Sequence, residues 1–181
     1  SINIGTITGT GDSSTTIGYD ANDAITCTVI TNNSTGYTFG WSVLTGTGAA
    51  GARTGTGHMN GFTAGNRIAP LKPTTTNTPE VFNTSTVATT DSRWAARLSS
   101  TSTTNTGAGM TWGTNAGNST DRFLNVATGS TVNIAKRSSV TGTGGTAELE
   151  VVMFSANIGK NTVQPTDTYR VTVTFTAVTN P

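Results

Sequence analysis

Few side chains in this chain are of a type that does chemistry, and most of those stand alone. There is one His and one Cys in 181 residues. His58 lies in a Gly-rich stretch (TGHMNG), and no Gly-x-Ser-x-Gly elbow supplies a nucleophile for it. Cys27 has no second Cys to bridge to, and neither residue has a spaced partner for a transition metal. Cys27 shares one face of an alternating run with Ile25 and Val29, as a small core residue would.

Carboxylates come closer to a constellation. Glu148 and Glu150 are two apart in an extended run and so share a face, an arrangement that glycoside chemistry can use. The plainer expectation is a solvated strand face with Lys or Arg nearby. Asp20, Asn22 and Asp23 (DAND) offer oxygen ligands of the kind Ca²⁺ takes. No later bidentate Glu follows as in an EF-hand loop, and Asx turns at a strand entrance explain the cluster as well. Trp41, Trp94 and Trp112 could stack on sugars. Trp41 belongs to a stripe with Tyr37 and Phe39 and is expected in the core, whereas Trp94 and Trp112 sit in less regular surroundings and are candidates for exposure. Asn32, Asn33, Asn83 and Asn118 begin Asn-x-Ser/Thr acceptors, in a composition that produces such triplets by chance. The expectation is a protein that is not an enzyme, with no cofactor and no metal.

The elements that must carry these residues read as strands. Residues 24–31 (AITCTVIT) alternate with a period of two, and in residues 37–44 (YTFGWSVL) Tyr37, Phe39, Trp41 and Val43 form an apolar stripe. Residues 169–178 (YRVTVTFTAV) place Tyr169, Val171, Val173, Phe175 and Ala177 inward against Arg170 and three Thr, the pattern of a sheet with one wet face. Weaker candidates are residues 79–89, 93–98, 110–112, 122–126, 131–136 and 147–158. In the last, residues 151–154 are apolar on both faces and predict a central strand. A short helical turn over residues 91–98, started by an Asp cap, is the rival reading there. Turn formers fill residues 45–57 and 141–146. Many short strands with Gly-rich turns predict an all-β fold, an antiparallel β-sandwich of Ig-like or jelly-roll type.

Composition agrees. Only 10% of residues are charged, against roughly 25% in ordinary soluble proteins, and 42 are Thr, a β-branched residue that suits a pleated surface. A net charge of +1 offers no electrostatic footprint for nucleic acid. No apolar run approaches the roughly 20 residues of a membrane helix. The chain starts at Ser1 without Met, which carries the expectation of a removed signal peptide and an extracellular, cell-surface location. Residues 1–10 read as an N-terminal extension and candidate donor strand, with Ile2, Ile4 and Ile7 as its apolar anchors, and residues 11–181 as a single β-sandwich domain. Whether that strand is given to a neighbour or kept in its own sheet stays open at this point.

Residues 30–37 (ITNNSTGY) and 164–178 (QPTDTYRVTVTFTAV) together resemble secreted, Thr-rich bacterial surface proteins of pilin-like or camelysin-like build. The resemblance covers the first 45 and last 40 residues or so and not the middle. It implies a fibre-forming β-sandwich that polymerises by donating a terminal strand. The function expected is therefore a structural subunit of an extracellular filament or surface layer, its partners identical subunits. An adhesin or carbohydrate-binding module is the alternative, and a viral capsid or decoration protein a second.

Overall fold

The computed structural model describes residues 21–43, 57–63, 65–72, 78–81, 91–101, 110–112, 122–126, 129–141, 147–159 and 162–181. Among these the chain forms strands and no helix, as its Thr, Val and Ile content favours. The strands are β1 (Ala21–Val29), β2 (Tyr37–Val43), β3 (Met59–Asn60), β4 (Arg67–Pro70), β5 (Glu80–Val81), β6 (Ser92–Thr101), β7 (Arg122–Phe123), β8 (Val132–Arg137), β9 (Glu148–Ile158) and β10 (Val173–Thr179). None of the described residues forms a helix long and apolar enough to cross a membrane.

Five strands make one sheet in the order β1-β9-β6-β4-β3, three make a second in the order β10-β2-β8, and β5 pairs with β7. Every described strand pairing is antiparallel except β4 with β6. The two larger sheets meet through aromatic side chains. Phe154 of β9 meets Phe175 of β10 edge-on at 6.3 Å, and within the second sheet Phe39 of β2 stacks on Phe175 at 5.8 Å. The core lies between them, built from Tyr37, Phe39, Trp41, Val132 and Ile134 on one side and Trp94, Ala96, Leu98, Val152 and Phe154 on the other. The arrangement is β-sandwich-like.

The stripe on β2 is buried as its period predicts, and β9 is central, between β1 and β6. The strand candidate over residues 93–98 forms, and two expectations are corrected. Residues 92–98 form the start of β6 rather than the rival helical turn, because Leu98, Ala96 and Trp94 ladder against Val152, Phe154 and Ala156. On β9 the buried face is that of Glu148, Glu150, Val152 and Phe154, while Leu149 is 45% exposed. On β10 and the segment before it, Tyr169, Val171, Val173 and Phe175 pack against the core, but Ala177 is exposed.

Candidate functional site

The residues with chemical potential separate into an internal layer and an open edge. The internal layer holds the two carboxylates. Glu150 is 1% exposed and Glu148 6%, so the solvated strand face expected of them is not what forms. Their position on β9 points them at β2 and β8, whose side chains answer them. The Tyr37 hydroxyl donates to Glu150 Oε1 at 2.6 Å, and Arg137 Nη1 donates to Glu148 Oε1 at 2.5 Å. A carboxylate taken out of water is tolerated when it is paired and hydrogen-bonded in this way. Burial, and then the hydrogen bond and charge of Glu150, push the Tyr37 hydroxyl far above its ordinary value. Burial, with Glu150 adding to it, raises the Cys27 thiol as well, which keeps it protonated and a poor nucleophile. The pair thus ties the two sheets together through Tyr37 and Arg137.

The three tryptophans are not a binding platform. Trp41 and Trp94 are 0% exposed and Trp112 is 5% exposed, which corrects the expectation that Trp94 or Trp112 is at the surface. Trp94 Nε1 donates to the Gly57 carbonyl at 2.7 Å, and Trp41 and Trp112 meet edge-on at 5.7 Å. His58 precedes β3 while Cys27 lies on β1, at opposite margins of the five-stranded sheet. Four strand spacings put roughly 19 Å between them, too far to share a metal. Among the described residues no group of three or more His, Cys, Asp or Glu is placed to hold a metal ion. Asn22 and Asp23 lie in β1, opposite Ser155 and Phe154, and Asp20 lies outside the described residues.

At the margin of the second sheet β10 pairs with β2 from Val173↔Val43 to Thr179↔Tyr37. Past the strand end, Asn180 is held by side chains of the turn before β2. Its carbonyl accepts from Asn33 Nδ2 at 2.7 Å and from the Thr35 hydroxyl at 2.8 Å, and its own Nδ2 donates to the carbonyls of Thr35 and Arg137 at 2.6 and 2.7 Å. Asn33 therefore has its amide engaged, whereas Asn32 is exposed. Asn83 and Asn118, and the donor-strand residues Ile2, Ile4 and Ile7, lie outside the described residues.

Sequence reasoning missed Asp167. Its carboxylate accepts from the backbone N–H of Phe62, Thr63 and Thr168 at 2.7–2.8 Å and from Asn66 Nδ2 at 2.9 Å, fastening the turn between β3 and β4 to the segment leading into β10. Partial desolvation works against its charge, but these bonds outweigh it and hold the carboxyl well below the usual carboxylate range. A Cβ on Gly61 would collide with this carboxylate, so the turn needs glycine there. The signal available in the sequence was an acidic residue in a Pro/Thr turn cluster (QPTDT), too common to single out.

The sheet margins differ in how they are guarded. A bare edge strand exposes N–H and C=O groups that pair with other chains, and proteins blunt it with charge, Pro, bulges or cover. β8 carries exposed Lys136 and a bulge at Ile134, where Phe39 and Gly40 pair with Ala135 and Asn133. β3 is two residues long and is bridged by Arg170. β10 (VTFTAVT) has no charge, no Pro and no register shift, and residues 171–181 contain no charged side chain. Val178 on it is 58% exposed. Among the described residues no strand covers its outer edge.

The chain matches no protein-family model, no curated protein and no solved structure.

Proposed function

We propose that this protein is a structural subunit of an extracellular filament or surface layer, in which identical copies join by pairing β-strands. The observation that carries the reading is the edge of β10, a seven-residue uncharged strand at a sheet margin that no other strand covers among the described residues. A chain with 10% charged residues and a net charge of +1 adds little like-charge repulsion to dense packing of identical copies. The polar groups that do cluster, Glu148, Glu150, Tyr37 and Arg137, are spent on joining the protein's own sheets. Residues 1–10, with Ile2, Ile4 and Ile7 alternating or nearly so with polar and small residues, remain the candidate for a strand donated between copies in a pilin-like sandwich.

The test is negative-stain electron microscopy of the full chain and of a form lacking residues 1–10. Regular fibres or sheets from the full chain support the reading, and their loss on truncation supports strand donation. Dispersed single particles from the full chain at every concentration would overturn it. The adhesin alternative is weakened by the burial of all three tryptophans, the rings best suited to stack on a sugar.

A further inference from the structure

We propose that the outer edge of β10 pairs with the same edge of a second copy, antiparallel and about a two-fold axis at Thr176. The inference rests on the reading of the protein as a self-assembling subunit, and names the contact.

The backbone sets the register. Asn180 N–H donates to the Gly36 carbonyl at 3.1 Å, continuing the ladder in which Thr179 faces Tyr37 and Thr174 faces Ser42. In an antiparallel pair, alternate residues direct both backbone groups at the same neighbour. Asn180, Val178, Thr176 and Thr174 therefore bond towards β2. Val173, Phe175, Ala177 and Thr179 present their N–H and C=O groups at the open edge.

These four residues are complementary to themselves. Laid antiparallel on its own copy, the edge sets Val173 opposite Thr179 and Phe175 opposite Ala177 as hydrogen-bonded pairs, giving about eight main-chain bonds. Between them, Thr176 faces Thr176 of the second copy and Thr174 faces Val178. Thr–Thr and aromatic–aliphatic neighbours are favourable across strands, and no like charges meet. Half-buried Val173 and Phe175 and exposed Val178 gain cover. The two three-stranded sheets become one of six, in the order β8-β2-β10-β10-β2-β8. The margins at β8 and β3 do not offer this. β8 would bring Lys136 and a bulge to the seam, and β3 is two residues long.

The occupant is a second copy rather than an unrelated peptide because length, polarity and register all match without adjustment. An isologous contact closes after two copies. Growth into a filament then uses a separate contact, the role given above to residues 1–10. A seven-residue seam is also small beside a standard interface, so the pair alone is weak and concentration-dependent.

The experiment is disulfide trapping of T176C in a Cys27→Ala background, under mild oxidation. Facing Cα atoms in a non-hydrogen-bonded pair stand about 4.5 Å apart, within reach of a disulfide. The expected result is a covalent dimer from T176C alone. T174C alone stays monomeric, while T174C mixed with V178C gives the mixed dimer. A second variant, V178K, alters an exposed side chain and is expected to weaken dimerisation at least tenfold in sedimentation. Fibres by microscopy without a T176C dimer would overturn the two-fold seam and leave the structural-subunit reading standing. A T176C dimer without larger assemblies would uphold the seam and sink the filament. Neither dimer nor assembly would overturn both.

Discussion

Tyr37 on β2 donates its hydroxyl to Glu150 on β9 at 2.6 Å, so one hydrogen bond inside the core joins the two sheets. The residues are 113 apart in sequence, and both are almost fully buried. A hydrogen bond to a carboxylate contributes about 1.5–3 kcal/mol, and removing the donor leaves the carboxylate to bear its desolvation with one bond fewer. Y37F keeps the ring and its packing. It is expected to lower unfolding stability by about that amount, with an unchanged denaturant slope. A loss below about 0.5 kcal/mol in urea titration would show that the bond is not what holds Glu150 in the core.

The acid limb of stability should have two steps. Burial, and then Arg67 and Arg93, hold His58 below its ordinary value. Desolvation works against the charge of Asp167, but the hydrogen bonds from Thr63, Asn66, Phe62 and Thr168 together hold it low. In both groups the unfolded chain takes up a proton more readily than the folded one. Their contribution is thus complete above the unfolded value and is lost as pH falls through the folded value. The His58 step begins below about pH 6.5 and the Asp167 step below about pH 4. H58Q should flatten the first step and D167N the second, read as melting temperature against pH by circular dichroism. A D167N curve that keeps the wild-type fall below about pH 4 would show that other carboxylates account for it.

Gly36 sits at φ +78° in the turn between β1 and β2. A Cβ there would collide with the Arg137 carbonyl oxygen and lie 2.8 Å from the Ser139 nitrogen, both backbone atoms that cannot rotate away. G36A is expected to destabilise by more than the roughly 1–3 kcal/mol that the backbone conformation alone costs. Because Asn180 N–H also bonds to the Gly36 carbonyl, the variant should loosen the end of β10 first. Faster amide exchange at Asn180 and Val178 in G36A than in the wild type, with β9 unchanged, is the readout, and an equal change in both would contradict it.

How far the sequence discloses this molecule depends on the range of the contacts involved. Tyr37, Phe39, Trp41 and Val43 announce their burial, because a period of two with large apolar groups needs no knowledge of neighbours. Glu148 and Glu150 do not. Leu149, Val151 and Met153 make the opposite face of β9 equally apolar, and what turns the glutamates inward is Arg137 and Tyr37 on other strands. Asp167 is hidden for the same reason, since three of its four donors lie about a hundred residues earlier. The uncharged run of β10 was plain in the letters. That it lies at a margin follows from strand order, which local patterning does not encode.

Glycan placement separates two neighbouring acceptors that the sequence presents as equals. Asn32 is exposed, whereas Asn33 donates its amide to the Asn180 carbonyl at 2.7 Å and accepts from the Thr35 hydroxyl at 3.0 Å. Glycosylation replaces one of the two Nδ2 hydrogens, which donate to the Asn180 and Gly36 carbonyls, and crowds the other. Modification of Asn33 would therefore remove one link between the β1–β2 turn and the end of β10, leaving those made by Thr35 and Gly36. Produced in a glycosylating host, the folded protein should carry sugar at Asn32 and not at Asn33, as peptide mapping by mass spectrometry would show. The variant N33A removes the same link without a glycan, and should lower stability by about 1–2 kcal/mol through the lost bonds. Full occupancy at Asn33 in a protein with wild-type melting temperature would mean that this link does not secure β10.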